Sequence, residues 1–277
     1  MALVPQIDLL LDGLMGAPLK DDRALMEFPF FSLTKRPQTA ARVYSDGRVQ
    51  VRVTPGPNGM ATQWDKDVLI YCVSILNDRI ERGLPTEPTI RFHASDFLRS
   101  TGRGVGKQGY DLFLDALFRL RSTTIETTIP AAGSTERRGF GWIAGWRVVE
   151  RDAPNGTRVM AAIEVTLNDW MYRAVVQERR VLTINESYFT LGGALERRLY
   201  ELARKHCGRQ ESWSISLPKL CEKVGTSRPL KALRLELAEL AEGNALPDYR
   251  MSLEVPALGR DALQRTIVLF EPRPLKS

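Results

Sequence analysis

Two stretches of this sequence run through the same order of elements, and that order limits the fold more than any bulk property does. In the later stretch, Leu195, Leu199, Leu202 and Ala203 line a helix that Gly208 can end. Residues 212–216 read as a strand, and 217–224 as a short helix with Pro218 in its first turn. A turn from Gly225 to Pro229 leads into a helix striped by Leu230, Leu233, Leu237 and Leu240, and residues 249–255 and 266–271 supply two closing strands. In the earlier stretch, Trp64, Val68, Tyr71, Cys72, Ile75 and Leu76 share one helical face, 89–92 reads as a strand, and Ser95 can cap a brief helix through Arg99. After a glycine-rich turn, Tyr110, Phe113, Leu114, Leu117 and Leu120 recur at helical spacing. The β-branched run 123–129 and the segments 140–149 and 158–165 then read as strands.

Each stretch is therefore helix, strand, helix, turn, helix, strand, strand, with the run 123–129 as one additional strand in the earlier stretch. A helix-turn-helix followed by a hairpin, met twice, predicts an α+β chain of two tandem winged-helix domains. The expected boundaries are a flexible N-terminal arm over 1–26, a first winged-helix domain with added strands over 27–182, and a second over 183–277. The added strands are expected at 27–33, around Arg42-Val43-Tyr44, and at 49–53.

Several chemistries fall away on residue usage. Cys72, Cys207 and Cys221 are odd in number and form no C-x-x-C pair, which fits buried thiols in a reducing cytosol rather than disulfides or a zinc ribbon. His93 and His206, the two histidines, are far apart and carry no metal-ligand spacing, so neither a metal site nor a metal-dependent nickase is expected. Gly104, Gly106 and Gly109 match G-x-G-x-x-G, yet they follow a helix-like segment rather than a strand, and Gln108 stands where a P-loop needs Ser or Thr. A turn joining two helices accounts for them. No convergent acid, base and nucleophile is present, so neither an enzyme nor a cofactor is expected. The stretch from Leu3 to Leu14 holds Asp8 and Asp12 and lacks a basic leader, and no apolar run reaches the ~18 residues of a membrane span. The expectation is a cytoplasmic protein without membrane contact.

A formal charge of +6 points to an acidic partner only if folding gathers it on one face. The helix starting at Leu230 is led by Ser227 and Arg228 and carries Lys231 and Arg234. Its N-terminal end is where a recognition helix reads base edges. Arg197, Arg198, Arg204 and Lys205 on the preceding helix extend the basic candidates, and Arg99, Arg103 and Lys107 around the glycine turn are candidate phosphate contacts. Double-stranded DNA is the expected partner.

The segment Glu27 to Leu33, followed by Trp64 to Asn77 and Phe97-Leu98-Arg99-Ser100-Thr101-Gly102, resembles the plasmid replication initiator protein A family of bacteria. Leu191 to Cys207, Leu217 to Gly225 and Leu230 to Leu240 continue the likeness, so it covers roughly 27–271. The resemblance implies an origin-binding initiator that occupies direct repeats (iterons) as a monomer and forms a homodimer on its own promoter. The second unit would then be the main reader of the major groove, and the first a further DNA contact or a dimer surface. Gln6-Ile7-Asp8-Leu9-Leu10 resembles the pentapeptide that docks bacterial proteins on the polymerase sliding clamp, with Gln6, Leu9 and Leu10 as the docking side chains. The same segment also fits an amphipathic helix packing through Val4, Ile7, Leu11 and Leu14. The expected protein partner is a host replication protein: initiator, helicase or sliding clamp. Two other readings are a winged-helix transcriptional repressor without initiator activity and an adaptor that does not bind DNA.

Overall fold

The computed structural model describes residues 13–14, 16–129, 138–152, 158–208, 210–256 and 261–274. It is a mixed α/β chain built on two apolar cores. β1 (Lys20–Asp22) and α1 (Arg23–Glu27) come first. Asp22 caps α1, its carboxylate accepting from the backbone N–H of Ala24 at 2.8 Å and Leu25 at 3.2 Å. Leu19 and the residues from Ala24 to Met26 are buried, so the expected free arm gives way to packed structure well before residue 27. Gln6, Leu9 and Leu10 lie outside the described residues.

The strand expected over 27–33 does not form. Phe28, Phe30 and Phe31 are all buried, where a half-buried strand would alternate, and Pro29 has no N–H to give a ladder. Ser32 makes only a single parallel bridge to Thr62. β2 (Arg42–Ser45) and β3 (Gln50–Thr54) follow as an antiparallel pair.

α2 (Lys66–Glu81), β4 (Thr89–Phe92), α3 (Ala94–Ser100) and α4 (Lys107–Ser122) come next. β5 (Thr124–Thr127), β6 (Arg138–Gly141), β7 (Ile143–Asp152) and β8 (Arg158–Leu167) complete the first half. The single strand expected at 140–149 is broken at Trp142, which is fully buried and stacks on Phe31 with centroids 5.0 Å apart. The break sends β6 to a four-stranded sheet ordered β2-β3-β5-β6 and β7 to a three-stranded sheet ordered β4-β8-β7.

α5 (Asp169–Val176) and β9 (Val181–Thr183) return the chain to β1, which pairs with β9. A 3-10 turn at Glu186–Thr190 leads to α6 (Ala194–Cys207), β10 (Trp213–Ser216), α7 (Leu217–Val224) and α8 (Leu230–Gly243). β11 (Tyr249–Glu254), α9 (Ala262–Arg265) and β12 (Ile267–Pro272) end the described fold. The last sheet is ordered β10-β12-β11, which repeats the strand order of β4-β8-β7, with β5 and β6 inserted in the first half and α9 in the second.

α2 is the shared piece. Its residues from Lys66 to Asn77 are all buried, because Val68, Leu69, Tyr71 and Cys72 face the first core while Ile70 joins the second. A single amphipathic face was expected; the second half covers the other side. Among the described residues no helix is long and apolar enough to cross a membrane.

Candidate nucleic-acid interface

The short helix α7 ends on Gly225, whose φ of +72° is the left-handed conformation glycine adopts without strain. The Thr226 hydroxyl accepts from the Arg228 N–H at 3.2 Å, fixing the turn before Pro229 opens α8. Leu233 and Leu237 anchor α8 in the second core, so its opposite face is outward. Ser227, Arg228 and Lys231 are exposed and Arg234 is half-buried at the same end. The far half of the helix is acidic, with Glu236, Glu239 and Glu242. Cations and the positive pole of the helix dipole therefore coincide at one end, the arrangement that favours a phosphate backbone. Arg228 is paired with Glu236, whereas neither Lys231 nor Arg234 forms an ion pair with a described residue.

The other predicted residues split. Arg197 and Arg198 do not belong to the surface: they are 4% and 2% exposed. Arg197 donates to Asp67 Oδ1 at 2.6 Å and to the carbonyls of Phe189 and Leu191. Arg198 donates to the carbonyls of Leu25, Met26, Glu27 and Lys223. Their guanidiniums satisfy buried oxygens where α6 meets α1 and α2, so DNA cannot reach them. Arg204 is half-buried with Nε on the Thr183 carbonyl at 2.6 Å, and Lys205 lies 3.7 Å from Glu27. Burial would raise the Glu27 carboxyl, but hydrogen bonds from His206 and Lys223 hold it well below the usual carboxylate range.

In the first half, Arg99 and Lys107 are exposed, paired with Asp96 and Asp111 along their own helices. Arg103 instead turns inward, donating to the Trp64 carbonyl at 2.6 Å and to Asp67 Oδ2 at 2.8 Å, over the Phe97 ring. Of the glycines around it, Gly109 serves packing, whereas a Cβ on Gly104 or Gly106 would meet nothing within 4 Å. A Cβ on Gly109 would run into the carbonyl oxygen of Gly104, so that glycine is what lets α4 start so close to the turn. The exposed face of α4 carries Asp111, Asp115, Leu112 and Phe118, and Arg119 is held by Asp65 at 2.7 Å. It offers a duplex little.

Sequence reasoning missed Asp65 and Asp67, which hold Arg119, Arg103 and Arg197, and a buried ionic centre beside them. Asp21 and Glu201 both contact the fully buried Lys66 Nζ, at 2.6 and 2.8 Å. Burial pushes the Asp21 carboxyl up to about 7, with Lys66 opposing and Glu201 adding to the rise. It also missed Ala232 and Leu235, exposed on α8 and out of phase with the leucine stripe, although that phase was readable. Among the described residues no group of His, Cys, Asp or Glu is placed to hold a metal ion.

The family model described as replication initiator protein A matches residues 20–251. A protein of Wigglesworthia glossinidia brevipalpis, named "Putative replication protein", is 34% identical over 264 residues, covering 95% of this chain and 92% of its own length. Crystal structures of domains 2 and 3 of RctB superpose with TM-scores of 0.62 and 0.59 at 11% and 9% identity. They cover 90% and 91% of this chain and 97% of each of theirs. At that identity the likeness is one of fold.

Proposed function

The chain belongs to the replication initiator protein A family, and from that premise we propose that it starts plasmid replication by gripping repeated origin sequences through the turn and first half of α8. The observation that carries this reading is the exposed basic end of α8, with Ser227, Arg228, Lys231 and Arg234 together on a helix anchored by Leu233 and Leu237. In this reading the units 27–182 and 183–277 are tandem winged-helix domains. α3–α4 and α7–α8 are their helix-turn-helix pairs, and β7–β8 and β11–β12 their wings. The N-terminal half of α8 enters the major groove. Arg99 and Lys107 add phosphate contacts from the first unit, and Arg204 and Lys205 flank the second.

The protein performs no bond-breaking chemistry of its own in this scheme. Binding energy bends or opens the neighbouring duplex, and host initiator, helicase or clamp is recruited in the cytoplasm, the clamp through Gln6, Leu9 and Leu10. The same DNA grip represses its promoter. The acidic and apolar outer face of α4 favours a protein contact there, a second copy of the chain included, over a second reading head.

The deciding experiment asks whether the gene with its flanking DNA replicates as a plasmid. Wild-type replication and failure of the Lys231→Ala/Arg234→Ala double variant is the expected result. Normal copying by that variant removes α8 as the reader. Footprints over several direct repeats distinguish an initiator from a repressor confined to one inverted site.

A further inference from the structure

The outward stripe of α8 is not simply polar. Lys231, Ala232, Leu235, Glu239 and Glu242 follow one another along it, and Leu235, 50% exposed, sits at its centre. Leu235 is no part of the core, because the buried side of the helix belongs to Leu233 and Leu237. A large apolar side chain that leaves half of its surface in water one turn beyond Lys231 gains only part of its burial energy on folding, and the rest is free for a partner. Leu235 follows Lys231 and Arg234 and lies at the border with the acids: Glu236, next to it, is neutralised by Arg228, and Glu239 and Glu242, which would repel a duplex, come later.

We propose that Leu235 and Ala232 read the 5-methyl groups of thymine in the major groove, and that the bound sequence carries thymines at the matching positions. This rests on α8 being the DNA reader, and it names what that reader selects. The thymine methyl is the apolar feature of the major-groove edge, and aliphatic side chains meet it by contact rather than by hydrogen bonds. Three residues of helix advance about 4.5 Å, against about 3.4 Å between stacked bases, so the two side chains address neighbouring or next-neighbouring pairs. Lys231 and Arg234, beside them in sequence, supply the guanine or phosphate contacts that fix the register.

The test uses the full-length protein. Its preferred duplex is selected from random DNA, and each thymine is then replaced singly by deoxyuridine, which lacks only the methyl group. One or two replacements are expected to weaken binding about fourfold, the value of one buried methyl-sized group, with 5-methylcytosine retaining affinity better than cytosine there. Leu235→Ala, an exposed change checked by its melting midpoint, should bind thymine and uracil alike at one of those positions. Ala232→Gly should do so at the other. Salt-sensitive duplex binding with every deoxyuridine neutral, or Leu235→Ala with wild-type selectivity, overturns the methyl reading and leaves the DNA reading standing. No duplex binding at low salt overturns both.

Discussion

Asp67 Oδ1 accepts from Arg197 Nη1 at 2.6 Å, and the pair is buried where α2 of the first half meets α6 of the second. Asp67 Oδ2 takes Arg103 from the turn between α3 and α4, so one carboxylate ties that turn to α6. Removing one partner of a buried pair leaves the other charge desolvated, a loss of about 3–5 kcal/mol. Asp67→Ala should therefore lower the urea midpoint sharply. The double change Asp67→Leu/Arg197→Met should recover part of the loss, since the α2–α6 pair then leaves no buried charge, while Arg103 keeps only the Trp64 carbonyl and the carbonyls of Phe189 and Leu191 lose their donor. An Asp67→Ala midpoint within error of wild type would show that the pair contributes nothing.

Asp21 gives a pH dependence of definite sign. Its carboxyl rises from an ordinary 3.8 to about 7 because burial penalises its charge, against the pull of Lys66 and with Glu201 adding to the rise. Between those values the folded protein keeps a proton that the unfolded chain has lost. Asp21's contribution to stability therefore falls as pH rises through that window and is lowest above about 7. Asp21→Asn does not titrate, so the variant should gain on wild type from about pH 5 to about pH 8 in urea unfolding. A wild-type-to-variant difference equal at both ends means that Asp21 is an ordinary carboxylate.

The repeated connectivity was legible because leucine stripes at helical spacing and β-branched runs report local periodicity directly. Which polar face becomes covered was not. Arg197 falls on the side of α6 opposite its leucines and Arg198 on their flank, and the sequence marks both as charged without saying that α1 and α2 close over them. The same limit hid Lys66, whose partners Asp21 and Glu201 lie far away along the chain. Trp142 ended a strand for a tertiary reason, its stacking on Phe31, which periodicity cannot register. The basic end of α8 was legible, since Gly225, Pro229 and the stripe from Leu230 fix both the turn and the helix phase.

Glu236 pairs with the Arg228 guanidinium within the proposed DNA-binding end of α8. Glu236→Gln removes the competing charge and one source of repulsion toward phosphate. The exposed pair is worth about 0.2–1 kcal/mol, so affinity for the selected duplex should rise about 1.4- to fivefold. One more phosphate contact should steepen the slope of log K against log salt by about 0.9. Titration at several salt concentrations reads both. An unchanged slope would mean that Arg228 makes no phosphate contact even when released.

Gly225 fixes how the α7–α8 turn seats on the first half. Its φ of +72° already disfavours any side chain, and a Cβ there would stand 2.5 Å from Pro29 Cβ and 3.0 Å from Arg42 Nη1. Arg42 is itself confined, since Gln38 and the Phe31 carbonyl hold its guanidinium, so it has little room to retreat. Gly225→Ala therefore combines a left-handed backbone cost of about 1–2 kcal/mol with a steric push between the halves. The two parts separate in a double-mutant cycle, because Pro29→Gly takes away the Cβ that the new methyl would strike. A favourable coupling of at least about 0.5 kcal/mol between the two changes is expected. Additive effects would place the whole cost in the backbone of the turn, and the orientation of α8 would then owe nothing to Pro29.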